Sequence, residues 1–358
     1  MDLAMGGGFP AGGVSQIAAP PGVGKNALCN LLISRCQGIY GEEAKVAWIW
    51  TEVPYDKQHA RLNGVVVASS DYEIDLENHF RVTQGWKKLT DKQIASRKKE
   101  LGIFVIGQEG GTAEKLQATV ELVRENKFQV IILDSIAAVV SESREETDLD
   151  DEPQQSAEAR LVTEFQKKLW HAYGNSIEDE DPTSKINKTT LIVINQVRGN
   201  RAKHGSFDRE WKVGGAYAIR HGKLVDIILT PSTKIWLTPT GKETTKKEKG
   251  YKMIGKHIGW ILEKGKAGCH EGPSGEIPYY FKYGFNIYND MINTARAIGI
   301  LFMKGGKWTL ADENGEVMLE GEGEQDDLEG KAAVDPRFFR LIYQLALRKS
   351  EIQCVYSL

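Results

Sequence analysis

The chain has 358 residues, 41% of them hydrophobic, four cysteines and a net charge of −3. This composition excludes a globally disordered chain, the cysteine spacing excludes a zinc ribbon or a disulfide framework, and no apolar run is long enough to span a bilayer. The charge excludes a general attraction to nucleic acid, so any DNA contact must use a local basic surface. We therefore expect a cytoplasmic protein with no membrane partner.

The first predicted element is a strand at residues 14–18, followed by a Gly- and Pro-rich turn and an apolar helix. This order is typical of a phosphate-binding loop, in which backbone amides cradle a polyphosphate and a lysine contacts its outer phosphates. A Gly-rich surface turn that caps a helix is the alternative interpretation. The residues predicted to contact a nucleotide here are Pro20, Pro21, Gly22, Val23, Gly24, Lys25, Asn26 and Ala27.

The loop departs from the common pattern at two positions. Ala19 stands where the first glycine is usual, and Asn26 stands where a serine or threonine hydroxyl ligates Mg²⁺. An amide oxygen can also ligate Mg²⁺, although it lies one atom further from the backbone. We therefore expect nucleotide binding, with slow hydrolysis.

Three further apolar runs at residues 46–50, 130–133 and 191–194 alternate with segments of helical periodicity at 116–124 and 161–173. Short runs that are nearly all apolar fit strands buried on both faces of a parallel sheet. Strand–helix alternation of this kind predicts a doubly wound α/β domain. Ligands of such domains bind beyond the carboxyl ends of the strands.

Polar residues follow each of these runs. Lys25, Glu52, Asp134 and Gln196 are the set that phosphoryl transfer requires: a cation, an acid to activate water, an acid for the Mg²⁺ shell and an amide that senses the terminal phosphate. The pattern therefore predicts ATP and Mg²⁺ as cofactors, with Asn26 and Asp134 as the metal ligands. The alternative is that each is an ordinary polar residue at a strand end.

The remaining segments are less regular. The predicted division is 1–282 for a core domain and 283–358 for a small C-terminal domain. The other segments are a polar insertion or exposed helical excursion at 69–99, an acidic loop at 142–152, a polar loop at 175–188 and a final apolar helix at 338–347.

In this order the motifs resemble the RecA recombinase family, as a divergent or phage-type member. The resemblance implies a RecA-like P-loop ATPase core with a mostly parallel doubly wound sheet, plus a small α+β C-terminal domain. Besides the nucleotide loop and the opening residues 1–13, it rests on Ile49-Trp-Thr-Glu52, Val130-Ile-Ile-Leu-Asp-Ser135, Ile194-Asn-Gln-Val-Arg198, Gly214-Gly-Ala216, Glu263-Lys-Gly-Lys266 and Tyr283-Gly-Phe-Asn-Ile-Tyr288.

The resemblance also implies roles for the residues that follow the strands. Glu52 would be the general base that polarises the attacking water. Asp134 would hold Mg²⁺ through its water shell. Gln196 would contact the γ-phosphate and pass its presence to the loop that follows.

Four further residues match positions that the family uses around the nucleotide. Asp56 and His59 fall where the family contacts adenine. Lys264 and Lys266 would reach the ATP of a neighbouring subunit, acting in trans. An exposed basic turn is the alternative interpretation of these two lysines.

The segment after Gln196 mixes cations, aromatic residues and glycines, which suits it to gripping a DNA backbone and wedging between bases. A solvated turn is the alternative. The resemblance adds two positions on the helix after the acidic loop. The predicted DNA-binding residues are Arg160, Lys167, Arg198, Arg201, Lys203, Phe207, Arg209, Trp211 and Lys212.

The resemblance predicts an ATP-dependent homologous recombinase that binds single-stranded DNA, exchanges strands with duplex DNA and assembles as a homo-oligomer, in a filament or a ring. The first alternative is a regulatory DNA-binding protein that keeps ATP as a structural ligand, with weak or no hydrolysis. The second is a hexameric helicase or a clock-type ATPase with the same core.

Two departures from the family pattern bear on assembly. Ile219 and Arg220 replace the Lys-Phe pair that follows Gly-Gly in the family, so the coupling between loop and interface would differ. Family members also carry a helix and a strand before the segment at which this chain begins. We expect a truncated product, assembly through another surface, or no long filaments.

Overall fold

A computed structural model describes residues 1–5, 7–51, 53–107, 110–136, 155–174, 187–199, 211–213, 222–266, 269 and 271–350. The chain forms two compact units. The parallel-sheet unit comprises Ala11–Lys223, and the antiparallel-sheet unit comprises Met1–Pro10 with Leu224–Leu358.

The parallel-sheet unit is built on five parallel strands in the spatial order β1-β5-β4-β2-β3. A short sixth strand, β6, pairs antiparallel with the end of β5. Parallel neighbours need crossover connections, and helices supply most of them. The strands are β1 (Gly13–Ala19), β2 (Lys45–Trp50), β3 (Ile103–Gly107), β4 (Val130–Asp134), β5 (Thr190–Gly199) and β6 (Trp211–Val213).

The central strands of this sheet are buried on both faces. Side chains alternate along a strand, so Ile131 and Leu133 face one side while Ile132 faces the other, and all three are fully buried. Ile131 and Leu133 pack in a core that includes Leu116 and Phe165 from two helices. This two-sided burial is why the strands read as continuous apolar runs in the sequence.

Six α-helices of the same unit lie in the part of the chain that the structure describes. The 69–99 segment forms two of them, and each begins with a capping box in which a hydroxyl and a side chain three residues later bond each other's backbone amides. The helices are α1 (Lys25–Tyr40), α2 (Lys57–Leu62), α3 (Asp71–Thr83), α4 (Asp91–Lys98), α5 (Thr112–Glu125) and α6 (Gln155–Gly174).

The antiparallel-sheet unit contains a long hairpin and a smaller α+β part. In the hairpin, two long strands pair from Val225 with Gly265 out to Leu237 with Lys252. The strands of the hairpin and those that follow it are β7 (Val225–Leu237), β8 (Glu243–Thr244), β9 (Lys252–Gly265), β10 (Ser274–Tyr280) and β11 (Gly284–Phe285).

The smaller part has a three-stranded antiparallel sheet and three helices around a hydrophobic core that includes Trp308, Phe338 and Ile342. The predicted boundary at 282 and 283 stays a prediction. The elements are α7 (Ile287–Ala297), β12 (Leu301–Lys304), β13 (Lys307–Ala311), β14 (Val317–Glu322), α8 (Gln325–Val334) and α9 (Pro336–Lys349).

The predicted fold class is confirmed: a mostly parallel α/β core is accompanied by a small C-terminal part with an antiparallel sheet. The four predicted strands lie within β1, β2, β4 and β5, and the predicted helices lie within α5, α6 and α9. The edge strand β3 and the long hairpin are not among the predicted elements. Among the described helices, none combines the length and the apolar character that a bilayer crossing requires.

Candidate nucleotide-binding site

Strand register brings the carboxyl ends of the central strands to one edge of the parallel sheet. Ala19, the last residue of β1, is paired with Gln196 of β5. Trp50, the last residue of β2, is paired with Asp134 at the end of β4. Because these strands are parallel, the loops that follow them leave the sheet on the same side. We call this side the nucleotide edge.

The loop between β1 and α1 has the backbone of an anion cradle. Gly22 has φ +71° and Gly24 has φ +126°, conformations that side chains with a Cβ rarely adopt. Gly24 is the N-cap of the 16-residue helix α1 and provides no side chain to bond the helix amides. A glycine-rich turn that leads into a helix N-terminus suits a phosphate group.

The ammonium group of Lys25 is bonded to this loop. Its ammonium donates hydrogen bonds to the carbonyl oxygens of Ala19 at 3.1 Å and Pro20 at 3.3 Å. The side chain is half-buried, so the loop fixes its position. A cation placed at the centre of an anion cradle can neutralise phosphate charge.

Asn26 and Asp134 connect the loop to the end of β4. The Asn26 side-chain amide donates to the Asp134 carboxylate with Nδ2–Oδ2 at 3.0 Å, across 108 residues of sequence. An amide oxygen and a carboxylate are hard oxygen donors of the kind that Mg²⁺ prefers, and Mg²⁺ takes only one or two protein ligands when it is bound with phosphates. The residues present therefore fit a magnesium–nucleotide complex. Among the described residues, no three His, Cys, Asp or Glu side chains gather as a metal site without phosphate.

The end of β2 is fastened to the end of β4 beside Asp134. The Thr51 amide donates to the Asp134 carbonyl oxygen at 2.6 Å, and the Thr51 hydroxyl donates to the Ser135 carbonyl oxygen at 2.7 Å. The Ser135 amide donates back to the Thr51 hydroxyl at 2.9 Å. Glu52 itself lies outside the described residues, directly after Thr51.

Gln196 lies at the same edge, on β5. It is half-buried, and its backbone N–H donates to the side-chain oxygen of Asn195 at 2.8 Å. The Asn195 side chain in turn donates to Gln16 on β1 at 3.3 Å, and both are buried. Asn195 and Gln16, which are not among the predicted site residues, thus hold β1 and β5 in register behind Gln196.

The predicted adenine contacts lie around α2, where Asp56 has a structural bond. Asp56 is the N-cap of α2, and its carboxylate accepts from the amides of Gln58 and His59, both at 2.9 Å. This is the usual way for an aspartate to satisfy the first amides of a helix. A contact with adenine would have to leave this cap intact.

His59 lies in a polar network that reaches the phosphate-loop helix. Its ring nitrogens are 3.4 Å from the side-chain nitrogens of Asn30 and Asn63, and the Tyr55 hydroxyl donates to Asn30 at 2.9 Å. Burial lowers the pKa of His59, so its ring is neutral at pH 7. Burial, with the Asp134 charge adding to it, raises the pKa of Cys29 on the same helix, so this thiol stays protonated. The network residues Tyr55, Asn30 and Asn63 carry no recognisable motif.

The predicted DNA-binding residues are only partly described. Arg160 and Lys167 are exposed on α6. Arg198 and Lys212 are paired in the β5–β6 ribbon, with Trp211 opposite Gly199. The β5–β6 pairing therefore brings together the two ends of the predicted DNA-binding loop that follows Gln196. Residues Arg201, Lys203, Phe207 and Arg209 lie outside the described residues, as do Ile219, Arg220, the predicted loop at 142–152 and all but the last two residues of the predicted loop at 175–188.

Lys264 and Lys266 belong to the antiparallel-sheet unit. Lys264 is opposite Asp226 in the β7–β9 pairing, and the Lys266 amide donates to the Leu224 carbonyl oxygen at 2.8 Å. Both backbones are held by strand pairing. Their role toward a neighbouring subunit stays a prediction.

The fold and the edge together define a P-loop protein of the parallel α/β class. No protein-family profile matches the chain. It is 28% identical over 218 residues to Protein RecA of Oleidesulfovibrio alaskensis, an alignment that covers 60% of this chain and 48% of that protein. It is 25% identical over 256 residues to the DNA repair protein recA homolog 3, mitochondrial, of Arabidopsis thaliana, covering 71% of this chain and 47% of that protein.

A third relative, Protein RecA of Leptospira biflexa, is 27% identical over 201 residues, covering 55% of this chain and 39% of that protein. The chain thus spans about half the length, or less, of the curated relatives it matches. The shared order of motifs, the sheet and this similarity to RecA proteins support a divergent member of the RecA family.

Proposed function

We propose that this protein is an ATP-dependent homologous recombinase that binds single-stranded DNA and exchanges strands with a homologous duplex. The observation that carries the proposal is the meeting of Lys25, Asn26, Asp134 and Gln196 at one edge of the sheet. The RecA relatives favour this chemistry over other uses of a P-loop fold. We place the activity in the cytoplasm and in a homo-oligomer.

In this mechanism the loop amides and Lys25 bind the phosphates, and Asn26 with Asp134 would hold Mg²⁺. When bound, the metal would supply charge neutralisation on the phosphate oxygens. Gln196 contacts the terminal phosphate. This contact changes the loop between β5 and β6, to which Gln196 is connected along β5. Glu52 positions the attacking water. Strand exchange needs binding and release of DNA, so a slow ATPase suffices.

One observation favours the alternative of a regulatory protein that keeps ATP as a structural ligand. The Asn26 amide donates to Asp134, so the carboxylate proposed to hold Mg²⁺ is already satisfied on one oxygen. A DNA-stimulated phosphate-release assay separates the two functions. A recombinase gives DNA-dependent turnover that Glu52→Gln removes, whereas the regulatory protein gives the same background with both proteins.

Lys25→Ala tests the nucleotide edge directly. Removing a charge-assisted hydrogen bond to phosphate weakens nucleotide binding by about 10- to 100-fold. We expect the variant to lose the ATP stimulation of binding to a fluorescent single-stranded oligonucleotide, measured by anisotropy. Lys127→Ala is the matched control, since Lys127 is exposed beyond α5 and, among the described residues, its ion pair is with Glu125 at 3.5 Å. ATP stimulation that survives in Lys25→Ala would contradict the proposed function.

A further inference from the structure

The hairpin formed by β7, β8 and β9 carries a charge opposite to that of the whole chain. Between residues 234 and 256 it has seven lysines and two glutamates, a net charge of +5 in a chain of net charge −3. We call residues 234–256 the lysine hairpin. Six of its lysines are exposed and one, Lys256, is half-buried; the exposed ones are Lys234, Lys242, Lys246, Lys247, Lys249 and Lys252.

The acids of the lysine hairpin are bonded to tyrosines rather than to its lysines. Glu243 accepts from the Tyr280 hydroxyl at 2.7 Å, and Glu248 accepts from the Tyr251 hydroxyl at 3.1 Å. Burial and this bond to Glu243 raise the pKa of Tyr280, which therefore stays a donor. Within the described part of the chain, none of the six exposed lysines forms an ion pair. Ion pairs with the described residues therefore do not neutralise the charge of these six lysines.

Strand pairing concentrates this charge further. Lys234 on β7 is directly opposite Lys256 on β9. Like charges in such a pair destabilise a sheet by a few tenths of a kcal/mol to about 1 kcal/mol. The Lys247 ammonium lies 5.5 Å from the centre of the Trp236 ring, which adds a third cation near the same strand. The pairing of Lys234 with Lys256 does not itself stabilise the sheet, whereas a polyanionic partner would be attracted to these cations.

The side chains of the hairpin favour duplex DNA as that partner. Lysines are compact charges that contact phosphates without reading bases. Proteins that hold single strands stack bases on exposed aromatic rings, but Trp236 and Tyr251 are only partly exposed, and Tyr251 is bonded to Glu248. The phosphate backbone of a duplex, with one negative charge for about every 1.7 Å of helix axis, is a dense polyanion that suits such a cluster of lysines.

We propose that the lysine hairpin is a sequence-independent binding site for the phosphate backbone of duplex DNA. This site is separate in sequence from the predicted DNA-binding loop after Gln196 and does not require nucleotide. It would hold a duplex electrostatically, so its contribution falls as salt rises because bound counterions are released.

The test uses the full chain without nucleotide and a fluorescent duplex of mixed sequence, titrated at several salt concentrations. The variant replaces Lys242, Lys246, Lys247 and Lys249 by glutamine. We expect the slope of log affinity against log salt to become shallower by about 3 to 4, because each phosphate that a lysine neutralises adds about 0.9 to that slope. The affinity at low salt should fall at least about tenfold.

The matched control removes the same charge elsewhere. Lys87, Lys88, Lys92 and Lys99 are all exposed in the α3–α4 segment, and their replacement by glutamine should leave the slope unchanged. Equal effects of the two quadruple variants would mean that net charge alone acts, and would overturn the proposal. An unchanged slope in the hairpin variant would overturn it as well.

Two further arms separate other partners and other failures. Anionic phosphatidylserine vesicles are titrated beside the duplex, and tighter hairpin-dependent binding to vesicles than to the duplex would assign the surface to lipid and overturn the proposal. Lys25→Ala should bind duplex like the unsubstituted protein when nucleotide is absent. ATP stimulation that survives in Lys25→Ala, together with a shallower salt slope in the hairpin variant, would contradict the proposed function alone. Loss of ATP stimulation in Lys25→Ala, together with an unchanged slope in the hairpin variant, would contradict the hairpin proposal alone.

Discussion

The nucleotide edge and the lysine hairpin differ in where their charged and polar groups come from and in whether these groups are bonded to one another. At the edge, polar groups from distant parts of the sequence are bonded to one another at the ends of buried strands, as Asn26 is to Asp134. In the hairpin, cations from one short segment are exposed, and two of its lysines are opposite each other. The edge depends on geometry, so single substitutions should disable it. The hairpin depends on summed charge, so its effects should be small, additive and sensitive to salt.

The largest expected effect is on the sheet that positions the edge. Ile132 of β4 is fully buried, and Ile132→Ala should lower the free energy of unfolding by about 2–5 kcal/mol because the cavity it leaves cannot collapse completely. Urea unfolding followed by circular dichroism measures this. Ile103→Ala is the control, since Ile103 on the edge strand β3 is 49% exposed and should cost much less. Equal losses would mean that the two-sided burial of β4 does not support the edge.

A smaller effect is expected from Asn26→Thr at the edge. A hydroxyl at this position can ligate Mg²⁺ and no longer donates an amide hydrogen to Asp134. We expect Mg²⁺ to tighten nucleotide binding several-fold more in this variant than in the unsubstituted protein, measured by titrating a fluorescent nucleotide with and without Mg²⁺. Asn26→Ala removes the amide without supplying a ligand. If the threonine and alanine variants respond to Mg²⁺ alike, position 26 does not contact the metal.

The smallest expected effect lies in the hairpin. Lys234→Glu replaces a like-charge pair with an opposite-charge pair across from Lys256 and should raise the free energy of unfolding by about 0.2–1 kcal/mol. Lys252→Glu is the control because its cross-strand partner is Leu237. Thermal unfolding measures the change in the free energy of unfolding for both variants. The same shift in both would attribute the gain to lower net charge rather than to the Lys234–Lys256 pair.

Much of the edge could be predicted because its signals are local. A strand buried on both faces reads as an apolar run, and the residue after it marks the strand end, as with Asp134 and Gln196. Glycines that need positive φ identify the loop at Gly22 and Gly24. The network of Tyr55, Asn30, His59 and Asn63 could not be predicted, because Asn30 on α1 meets the residues of α2 and of the loop before it only through packing.

In the hairpin, the residues can be read from the sequence but their arrangement cannot. The lysines of residues 234–256 are visible in the sequence, yet their density matters only once pairing is known. A shift of one residue in register would move Lys234 away from Lys256 and turn each side chain to the other face. Bulges in the β7–β9 pairing, such as the one between Ile235 and Trp236, decide that register. No local pattern predicts such a bulge.

The sequence by itself determined the α/β class of the core, the strand ends and the phosphate loop, because apolar periodicity and glycine conformation are properties of neighbouring residues. Only the tertiary structure decided that Asn26 bonds Asp134, that Asp56 caps a helix and that lysines are opposite each other in the hairpin. These interactions depend on strand register, on helix packing and on where each helix begins, which local preference alone does not set.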